Sequence, residues 1–517
     1  MGMSVSVQRQ KTDQNICHYR THAAVSFYSI VNPFPIISMS DAAASAAAAI
    51  AAQNSVSVQF FTKADYPKQQ MPNTTFTVPI GTLPEGLSTL VNEVLSLSPP
   101  VPLDFLINDQ YISNTLERFM RRRGLTPEDV LQIEYQPALQ AQEGSKLPHD
   151  DWVSSVRAPL SGVSSCIVTG AYDHCVRVWA GDDCLAIGGG HREAVKEIAL
   201  RSASGPAAAT TSGEDRTRGS SKRRARDQTV VVPETIEFAS CGKDGSIRTW
   251  RFDSASRKIS PLGCASQHVD AIDTVDIDPS PEHRLVASGS WDCAVKVFNW
   301  DDLVNAREDD SRRAVGVAVA GLATSGACAP LVTFTDHARA VLKVRFSPGF
   351  GNGNHVLYST GLDGCVKVWN VETSQLTATL SASHASHALA VRPGNSGGSD
   401  MIVTGNTDGR LRLFDARTKT GAVQTWSGHR QWVYGAAWLW RADEAGASSI
   451  SQHLLASAAE DSTVRLWDMR ATSGTALLTL DKLHSDGVLD VTYAGGNEIV
   501  SCGKDNRAKS SKIECPK

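Results

Sequence analysis

Two adjacent carboxylates, Glu128 and Asp129, stand in the stretch GLTPEDVLQIEY between a proline and an apolar segment. An exposed carboxylate in such a place can bind a hard cation, because Mg²⁺ takes oxygen ligands. A structural role competes with this one. Glu128 would then lie in the first turn of a short helix, with Thr126 as its N-cap and its charge favourable to the helix dipole. The residues by themselves favour the structural role.

A second kind of chemistry is suggested by His, Ser and Asp residues that recur together, for example His337, Ser359 and Asp363. Hydrolases use these residue types as base, nucleophile and orienting acid, but in one exposed constellation. Here the set returns repeat after repeat, which indicates a structural role. The sequence contains no Gly-rich phosphate loop and no metal-ligand cluster, so we expect a protein that is not an enzyme and has no intrinsic cofactor.

The same residues mark internal repeats. Segments such as GKDGSIRTW, GLDGCVKVW and AAEDSTVRLW place an Asp turn before an alternating strand that ends in Trp or Phe. Alternation with period two is typical of half-buried strands. In most units a His precedes the turn, and an aliphatic residue follows that His four positions later. The Asp turns are Asp173, Asp244, Asp292, Asp363, Asp408, Asp461 and Asp505.

This pattern resembles the WD40 family, which builds a propeller of four-stranded blades. The resemblance implies a mainly β chain with a seven-bladed WD40 β-propeller over residues 148–517. It also implies a buried hydrogen-bond chain in each regular blade, which satisfies polar groups that are costly to bury. The repeats place two such sets at His337, Ser359, Asp363 and Trp369, and at His429, Ser457, Asp461 and Trp467.

Two repeats depart from the pattern. Repeat five has only SHASHALAV, with His384 and His387, where most others have one clear His. In repeat seven Ser511 stands at the Trp position, and we expect the strand pattern to fail there with no fourth strand after it. Either residues just before His149 close the ring by pairing with the last blade, or the end of the chain is degenerate.

Two insertions, at 201–233 and 301–329, interrupt the propeller. The first is rich in Ser, Ala and Gly around its charges, and we expect a disordered loop. Its basic run is either a nuclear localisation signal or RNA-contacting loop, or a solvated loop without a special role. The second insertion is a mixed-charge linker. The basic residues of the first are Arg216, Arg218, Lys222, Arg223, Arg224 and Arg226.

Composition excludes some broad classes of protein. A net charge of -4 with 20% charged residues gives no global attraction to nucleic acid. The 11 cysteines contain no C-x-x-C pair, which argues against a zinc site or a disulfide framework and favours a reducing compartment. No apolar run is long enough to span a bilayer. We expect residues 1–55 to be a disordered Ala-rich extension, with Met39 as an alternative start.

Residues 56–137 change to a compact α+β pattern without Asp turns. SVSVQFFTK and TTFTVPI read as strands, and GLSTLVNEVLSL reads as an amphipathic helix with Leu87, Leu90, Val91, Val94 and Leu95 on one side. PLDFLIND and VLQIEY supply two more strands. A hairpin, a helix and returning strands in this length predict a ubiquitin-like β-grasp domain.

The segments VQFFTK, DFLIND, GLTPEDVLQIEY and HDDWVSSV ahead of a seven-repeat propeller resemble a family of ribosome biogenesis factors. In that family a ubiquitin-like NLE domain precedes the propeller, and the protein forms the PeBoW complex with pescadillo and the block-of-proliferation WD protein. The resemblance implies a non-enzymatic scaffold for assembly of the large (60S) ribosomal subunit and for precursor rRNA processing. It implies a location in the nucleolus and nucleoplasm.

The resemblance also gives Glu128 a role. In the family the midasin AAA ATPase engages the ubiquitin-like domain and releases the factor from the pre-60S particle. A Glu of that domain fills the open coordination position of Mg²⁺ in midasin's adhesion site, and by motif this Glu is Glu128, with Asp129 as the adjacent rival. With the resemblance, we expect a metal contact shared with the partner. The run Arg121, Arg122 and Arg123 is either a solvated helix face or a contact for an acidic rim or for RNA.

Two other functions remain open from the sequence. A Notchless-type assembly factor has a similar ubiquitin-like domain, but it carries eight WD repeats. A substrate receptor of a ubiquitin ligase would fit a propeller with WDMR at 467–470 and FDAR at 414–417, although this motif is short and common.

Overall fold

The fold is seen in a computed structural model of the chain. It describes residues 55–63, 71–108, 110–112, 114–126, 128, 130–159, 166–201, 208–210, 230–280, 284–307, 328–348, 355–392, 400–417, 421–439, 453–469, 474 and 476–514. In this part of the chain no helix is long and apolar enough to cross a membrane. The nine cysteines that it contains are all free thiols.

A five-stranded mixed sheet with two helices forms the domain that precedes the propeller. Its strands are β1 (Ser55–Phe61), β2 (Thr75–Pro79), β3 (Leu103–Ile107), β4 (Gln110–Tyr111) and β5 (Leu131–Pro137), and its helices are α1 (Pro84–Val94) and α2 (Leu116–Arg123). The strand order is β2-β1-β5-β3-β4, with β5 parallel to β1 and antiparallel to β3. A central last strand between two hairpins is the arrangement of a β-grasp domain.

Apolar residues hold this domain together. Leu87 and Val91 of α1 are fully buried, and they share one core with Phe105, Ile133 and Tyr135 of the sheet. Of the five residues expected on the apolar side of α1, Leu87, Val91 and Leu95 are buried, Leu90 packs at the edge of the core, and Val94 is exposed.

Seven four-stranded antiparallel sheets follow, one for each of the seven Asp turns. In chain order the strands are β6 (Gln140–Pro148), β7 (Val153–Arg157), β8 (Cys166–Ala171), β9 (Cys175–Ala180), β10 (Asp183–Gly189), β11 (Val195–Leu200), β12 (Ala208–Thr210), β13 (Val230–Val232), β14 (Thr235–Gly242), β15 (Ile247–Asp253), β16 (Lys258–Ala265), β17 (Ile272–Ile277), β18 (Leu285–Ser290), β19 (Val295–Asn299), β20 (Val332–Phe334), β21 (Val341–Phe346), β22 (Val356–Gly361), β23 (Cys365–Asn370), β24 (Gln375–Ser381), β25 (Ser386–Arg392), β26 (Met401–Asn406), β27 (Arg410–Asp415), β28 (Gln424–Ser427), β29 (Val433–Trp438), β30 (Leu454–Ala459), β31 (Val464–Asp468), β32 (Leu478–Leu480), β33 (Val488–Gly495), β34 (Glu498–Gly503) and β35 (Arg507–Glu514).

The blades take these strands almost in sequence. Blade one is β7–β10, blade two is β11, β14, β15 and β16, and blades three to six are β17–β20, β21–β24, β25–β28 and β29–β32. Blade seven has the order β33-β34-β35-β6, so its outer strand comes from the segment before His149. This is the first of the two alternatives that the sequence left open, and it closes the ring.

The closing strand corrects two expectations. The propeller sheet begins at Gln140, ahead of the expected boundary at residue 148. The strand pattern around Ser511 also does not fail, because β35 runs unbroken from Arg507 to Glu514. A register irregularity between Lys509 and Ser511 places two small residues, Ser510 and Ser511, side by side in the interior.

The insertions contain some regular structure. Within 201–233, β12 and β13 form a two-stranded antiparallel pair, which the expectation of a disordered loop did not include. At the start of 301–329 the chain forms a short helix, α3 (Trp300–Asn305), capped by the side chain of Asn299. Trp300 and Leu303 of this helix pack into the core of blade three, because Asn299 ends β19 there.

Candidate functional site

Glu128 lies in the short connection between α2 and β5. Helix α2 ends at Gly124, whose left-handed conformation (φ 66°) favours glycine and whose N–H donates to the Met120 carbonyl. The Leu125 N–H also donates to the Met120 carbonyl, at 3.1 Å, so the chain turns sharply away from the helix. The connection then passes through a turn at Glu128 and enters β5 at Leu131. Pro127 and Asp129 lie outside the described residues, so the alternative of a short helix around Glu128 stays a prediction.

The Glu128 side chain is exposed, and no hydrogen bond or salt bridge to it exists within the described residues. The strand that follows is firmly packed, since Leu131 and Ile133 of β5 are buried in the domain core. An exposed, unpaired carboxylate keeps its oxygens available for a cation or a donor from another molecule. Asp129, the adjacent rival, lies outside the described residues.

The arginine run lies on α2 just before this turn. Arg121, Arg122 and Arg123 occupy the last helical turn and are exposed, and Arg121 pairs with Glu117 at 2.6 Å, one helical turn earlier. Cations at this end of a helix favour its dipole, and a surface pair of this kind contributes little to stability. The arginines therefore form a solvated helix face, which is the simpler of the two interpretations. Their exposure also leaves them accessible to an acidic surface of another molecule.

The structure brings together the members of both expected hydrogen-bond sets. His337 Nδ1 lies 2.7 Å from Asp363 Oδ2, and its Nε2 lies 2.7 Å from Ser359 Oγ, which also accepts from Trp369 Nε1 at 2.7 Å. In the tautomer that satisfies every group, His337 donates to Asp363 and accepts from Ser359. The serine hydroxyl is fully buried, so it has no access to a substrate.

The second set has the same geometry. His429 Nδ1 lies 3.1 Å from Asp461, and Ser457 Oγ lies 2.7 Å from His429 Nε2 and accepts from Trp467 Nε1 at 2.7 Å. Burial lowers the pKa of His429, which keeps the imidazole neutral as this chain requires. Burial also opposes the charge on Asp461, but hydrogen bonds from His429 and the Arg430 N–H outweigh it and hold that pKa below its usual range.

A charged cluster in the central channel was not anticipated from the sequence. Glu197 of blade two is fully buried and pairs with Arg157 of blade one (2.5 Å) and with Lys343 (3.0 Å) and Arg345 (2.6 Å) of blade four. Arg157 also pairs with Asp490 of blade seven at 2.6 Å. The signal was present, because VKEIAL and VLKVRF place charges inside innermost strands, but the alternation alone does not show that they meet across a ring.

Exposed indoles gather on one face of the propeller. Trp152, Trp291 and Trp432 are 39%, 47% and 47% exposed. Each lies where an innermost strand begins or where a second strand ends. Backbone hydrogen bonds join these two positions within each of these blades, for example from the Tyr172 N–H to the Trp152 carbonyl at 2.8 Å. Because all blades have the same orientation around the ring, the three indoles share a face, here called the aromatic face.

Contacts between blades make the aromatic face continuous. Lys504 of blade seven pairs with Glu460 of blade six and lies 5.2 Å from the ring of Trp152. Lys196 of blade two pairs with Asp273 of blade three and lies 5.5 Å from the ring of Tyr172. Both lysines are neutralised by carboxylates. Exposed aromatic residues of this kind mark protein contact surfaces.

The remaining candidates are placed as follows. Arg216, Arg218, Lys222, Arg223, Arg224 and Arg226 lie outside the described residues. Among the described residues there is no group of three or more His, Cys, Asp or Glu side chains arranged to hold a metal ion.

Blade five departs from the regular hydrogen-bond set. His384 is half exposed and 3.6 Å from Asp408, and Asn406 takes over the interior hydrogen bonds, with Ser386 donating to it at 2.7 Å.

Comparison with known proteins bears on both parts of the chain. The model of the NLE (NUC135) domain matches residues 56–120, and the model of the WD domain, G-beta repeat, matches residues 142–180, 260–299, 328–370 and 421–468. The four repeat matches fall on blades one, three, four and six, in which the structure shows the same four-stranded sheet as in the other three.

Several named relatives match the chain along most of its length. A protein named "Ribosome biogenesis protein WDR12 homolog" from Nematostella vectensis is 30% identical over 468 residues, which cover 87% of this chain and 98% of the relative. Homologues of the same name from Chlamydomonas reinhardtii and Arabidopsis thaliana are 28% and 27% identical, over 88% of this chain in each case. With an NLE domain, WD repeats and relatives matched along nearly their whole length, the chain belongs to the WDR12 family of ribosome biogenesis proteins.

Proposed function

We propose that this protein is a non-enzymatic assembly factor of the large (60S) ribosomal subunit, acting in the nucleolus and nucleoplasm. Its propeller binds a block-of-proliferation-type WD protein and, within the same complex, a pescadillo-type protein, and the complex supports precursor rRNA processing. Its ubiquitin-like domain is the part that a midasin-type AAA ATPase holds when it releases the factor. The names of the relatives, which are ribosome biogenesis proteins, support the broad assignment.

The observation that supports the release step is the exposed carboxylate of Glu128, which has no partner within the described residues and lies just ahead of β5. One carboxylate oxygen fits an open position on a Mg²⁺ ion whose other ligands come from the partner. Such an ion supplies a strong, directional bond to the carboxylate. The chain's own residues supply the rest: Gly124 turns the chain out of α2, and buried residues anchor β5, the strand that follows Glu128.

The aromatic face supports a protein-binding propeller. Trp152, Trp291 and Trp432 are large apolar residues that a partner can cover, and the two lysines beside them, Lys196 and Lys504, are already paired with carboxylates. We assign this face to the WD-protein partner. If the protein contacts RNA at all, the basic loop at 216–226 is a better candidate than the propeller face, and a role of that loop in nuclear import is the alternative.

The release contact is tested by affinity purification of tagged wild type beside Glu128→Ala, Glu128→Gln and Glu93→Gln, each with Mg²⁺ and with a chelator. Glu93 is an exposed glutamate on α1 and serves as the matched control. We expect the Glu128 variants to keep the propeller partners, to lose the Mg²⁺-dependent midasin contact, and to accumulate on precursor particles. Unchanged midasin binding would mean that Glu128 does not make the contact, and Asp129→Asn would then be the next variant to test.

The face assignment has its own test. Trp432→Ala should weaken capture of the WD-protein partner, whereas Ile187→Ala, at an exposed residue of β10, the outer strand of blade one, should not. Equal capture by both variants would place the partner elsewhere. Recovery of ubiquitin ligase subunits in place of ribosomal precursors would instead favour a substrate receptor.

A further inference from the structure

The segment from Glu128 to Pro148 connects the proposed contact site to the closure of the propeller. It passes from the turn into β5, then through the two residues Ala138 and Leu139, and then into β6. A pull on Glu128 that the propeller resists is therefore carried along this one stretch of chain. The strand that first resists it becomes the mechanical weak point.

Strand β5 is well held. It is the central strand of its sheet, paired with β1 on one side and with β3 on the other. Ile133 and Tyr135 are fully buried, and the Tyr135 hydroxyl accepts a hydrogen bond from the Met71 N–H at 3.1 Å. Pulling β5 out of the sheet would break its hydrogen bonds to both β1 and β3 and would expose the hydrophobic core of the domain.

The connection between β5 and β6 is short, and both of its residues make contacts that hold it in place. The Ala138 N–H donates to the Pro102 carbonyl at 2.9 Å, which ties it to the ubiquitin-like domain. Leu139 packs against the apolar core shared by blades six and seven, which includes Ile513. Two extended residues span only about 7 Å. Tension on the domain therefore reaches Gln140 almost at once.

Strand β6 is held on one edge only, as the outer strand of blade seven. Of its nine residues only Leu147 is buried, and the end nearest the junction is exposed. Its partner β35 carries the short residues Ser510 and Ser511, and Ser511 stands where four other blades place an indole on the interior serine or threonine. The closing blade therefore lacks the Trp contact that secures the third strand elsewhere.

The direction of pull favours peeling. Gln140 pairs with Glu514, Ala141 with Ile513, and the ladder continues to Pro148 opposite Arg507. Load enters at the Gln140 end, so a pull directed away from β35 acts on one pair of residues at a time and does not load the whole ladder together. A strand loaded in this way separates at a lower force than one whose hydrogen bonds share the load.

We infer that the pair β6–β35 is a force-sensitive joint: tension on the ubiquitin-like domain peels β6 away and opens the ring between blades seven and one before that domain unfolds. The source of the tension rests on the proposed function, but the order of rupture is a property of this chain alone.

Opening at this seam explains how a distant pull can release a partner. The pair Arg157–Asp490 joins blades one and seven across the channel, and the contact of Lys504 with Trp152 joins the same two blades on the aromatic face. When the hydrogen-bonded closure through β6 is lost, these two contacts and the apolar packing of Val153 and Val156 against Val500 and Cys502 are what still hold the seam. A partner bound across the seam then loses part of its binding surface.

The joint is tested on the full-length chain by locking it. Gln142 and Lys512 are exposed and directly opposite one another, so Gln142→Cys with Lys512→Cys allows a disulfide across the joint. The control is Ser381→Cys, which faces the natural Cys365 across the two outer strands of blade four. Handles for an optical trap are attached through non-natural amino acids at positions 128 and 372, so the other cysteines stay untouched.

In the trap we expect wild type and the Ser381→Cys control to show the same first rupture at low force. The oxidised double variant should lose this rupture, and reductant should restore it. A first rupture that is unchanged in the oxidised double variant, or that comes from unfolding of the ubiquitin-like domain, would overturn the inference whatever the function of the protein.

A second experiment measures ATP-dependent release of the same variants from precursor particles. We expect the oxidised double variant to remain bound and the reduced one to leave like wild type. Normal release of the oxidised variant would overturn the joint while leaving the proposed function intact. Release of wild type that does not need Glu128 would overturn the proposed function, while the trap result would still decide the joint.

Discussion

The buried hydroxyl in the interior of a blade has more or fewer hydrogen-bond partners, depending on whether Trp or Phe stands beside it on the third strand. In blade four Ser359 contacts both His337 and the Trp369 indole, whereas in blade three Ser288 contacts His268 at 2.8 Å, and Phe298 stands at the indole position. Removing a hydroxyl leaves buried donors or acceptors unpaired, at a cost of about 1–3 kcal/mol for each group. The two blades therefore provide a matched comparison.

We expect Ser359→Ala to lower the free energy of unfolding by more than Ser288→Ala, with a difference of about 1 kcal/mol or more. The reason is that two polar groups are orphaned in blade four and one in blade three. Urea denaturation of both variants beside wild type measures this. Equal losses would mean that the hydrogen bond from the Trp369 indole N–H to Ser359 does not contribute to stability.

A buried histidine predicts how stability depends on pH. His149 Nε2 lies 2.8 Å from Thr169 Oγ1, and burial, aided by the charge of Arg177, lowers the pKa of His149 to about 4. Between pH 6.5 and about 4 the folded state therefore binds fewer protons than the unfolded state. The contribution of His149 to the free energy of unfolding is fully present above pH 6.5, and it is lost as the pH drops below that value. At about 1.4 kcal/mol per pH unit, this residue contributes at most about 3 kcal/mol.

The measurement is urea denaturation at pH 7 and pH 5. His149→Gln should reduce the pH dependence without removing it, because one group that must lose its proton on folding is gone while burial still lowers the pKa of His268, His387 and His429. His174→Gln changes an exposed histidine in the nearby Asp turn and is the control. A variant at His149 with the wild-type slope would show that other groups cause the acid loss.

At the scale of elements, the sequence predicted those whose side chains alternate or repeat clearly. The Asp turns and their flanking strands, and helix α1, follow directly from the positions of apolar residues. Strand β6, QAQEGSKLP, was anticipated only as one of two ways to close the ring, because an outer strand with one buried residue carries no alternation that would give its bounds. Helix α2, LERFMRRR, is short and mostly polar, and only Leu116 and Met120 of its residues are buried.

The location of the candidate site was only partly predictable for the same reason. The motif singled out Glu128, but the αL cap at Gly124 and the turn that exposes the carboxylate depend on where α2 ends. Ring-scale contacts such as Glu197 with Arg345 join residues far apart in the chain. No local pattern predicts such a pair, because it exists only once seven blades have closed around the channel.

The role of β6 leads to an element-scale prediction about Leu147, its one buried residue. Leu147→Ala should cost about 2–5 kcal/mol, as should Leu357→Ala, an equally buried leucine in blade four. Only the Leu147 variant should increase amide hydrogen exchange along Arg507–Glu514, because that strand depends on β6 for its outer hydrogen bonds. Equal protection of β35 in the two variants would mean that Leu147 does not secure the closure.

At the scale of the whole molecule, the ubiquitin-like domain and the propeller are joined without a linker. The last strand of one and the closing strand of the other are separated by two residues. Flexible tethers between domains are longer and more polar than this. Any change that moves the ubiquitin-like domain therefore acts on the closure of the ring, and the two parts are mechanically a single unit through β6.

This arrangement predicts where the chain can be divided. A variant that begins at Gln140 keeps β6 and should give a monomeric propeller with one cooperative transition. A variant that begins at His149 loses β6, which leaves the outer edge of β35 unpaired and removes Leu147 from the core, so its unfolding free energy should fall by at least about 2 kcal/mol. Size-exclusion chromatography with light scattering and thermal unfolding would compare the two. Because an unpaired edge strand invites pairing between molecules, we expect the shorter variant to associate as well as to unfold earlier; a monomer of unchanged stability would show that blade seven closes without β6.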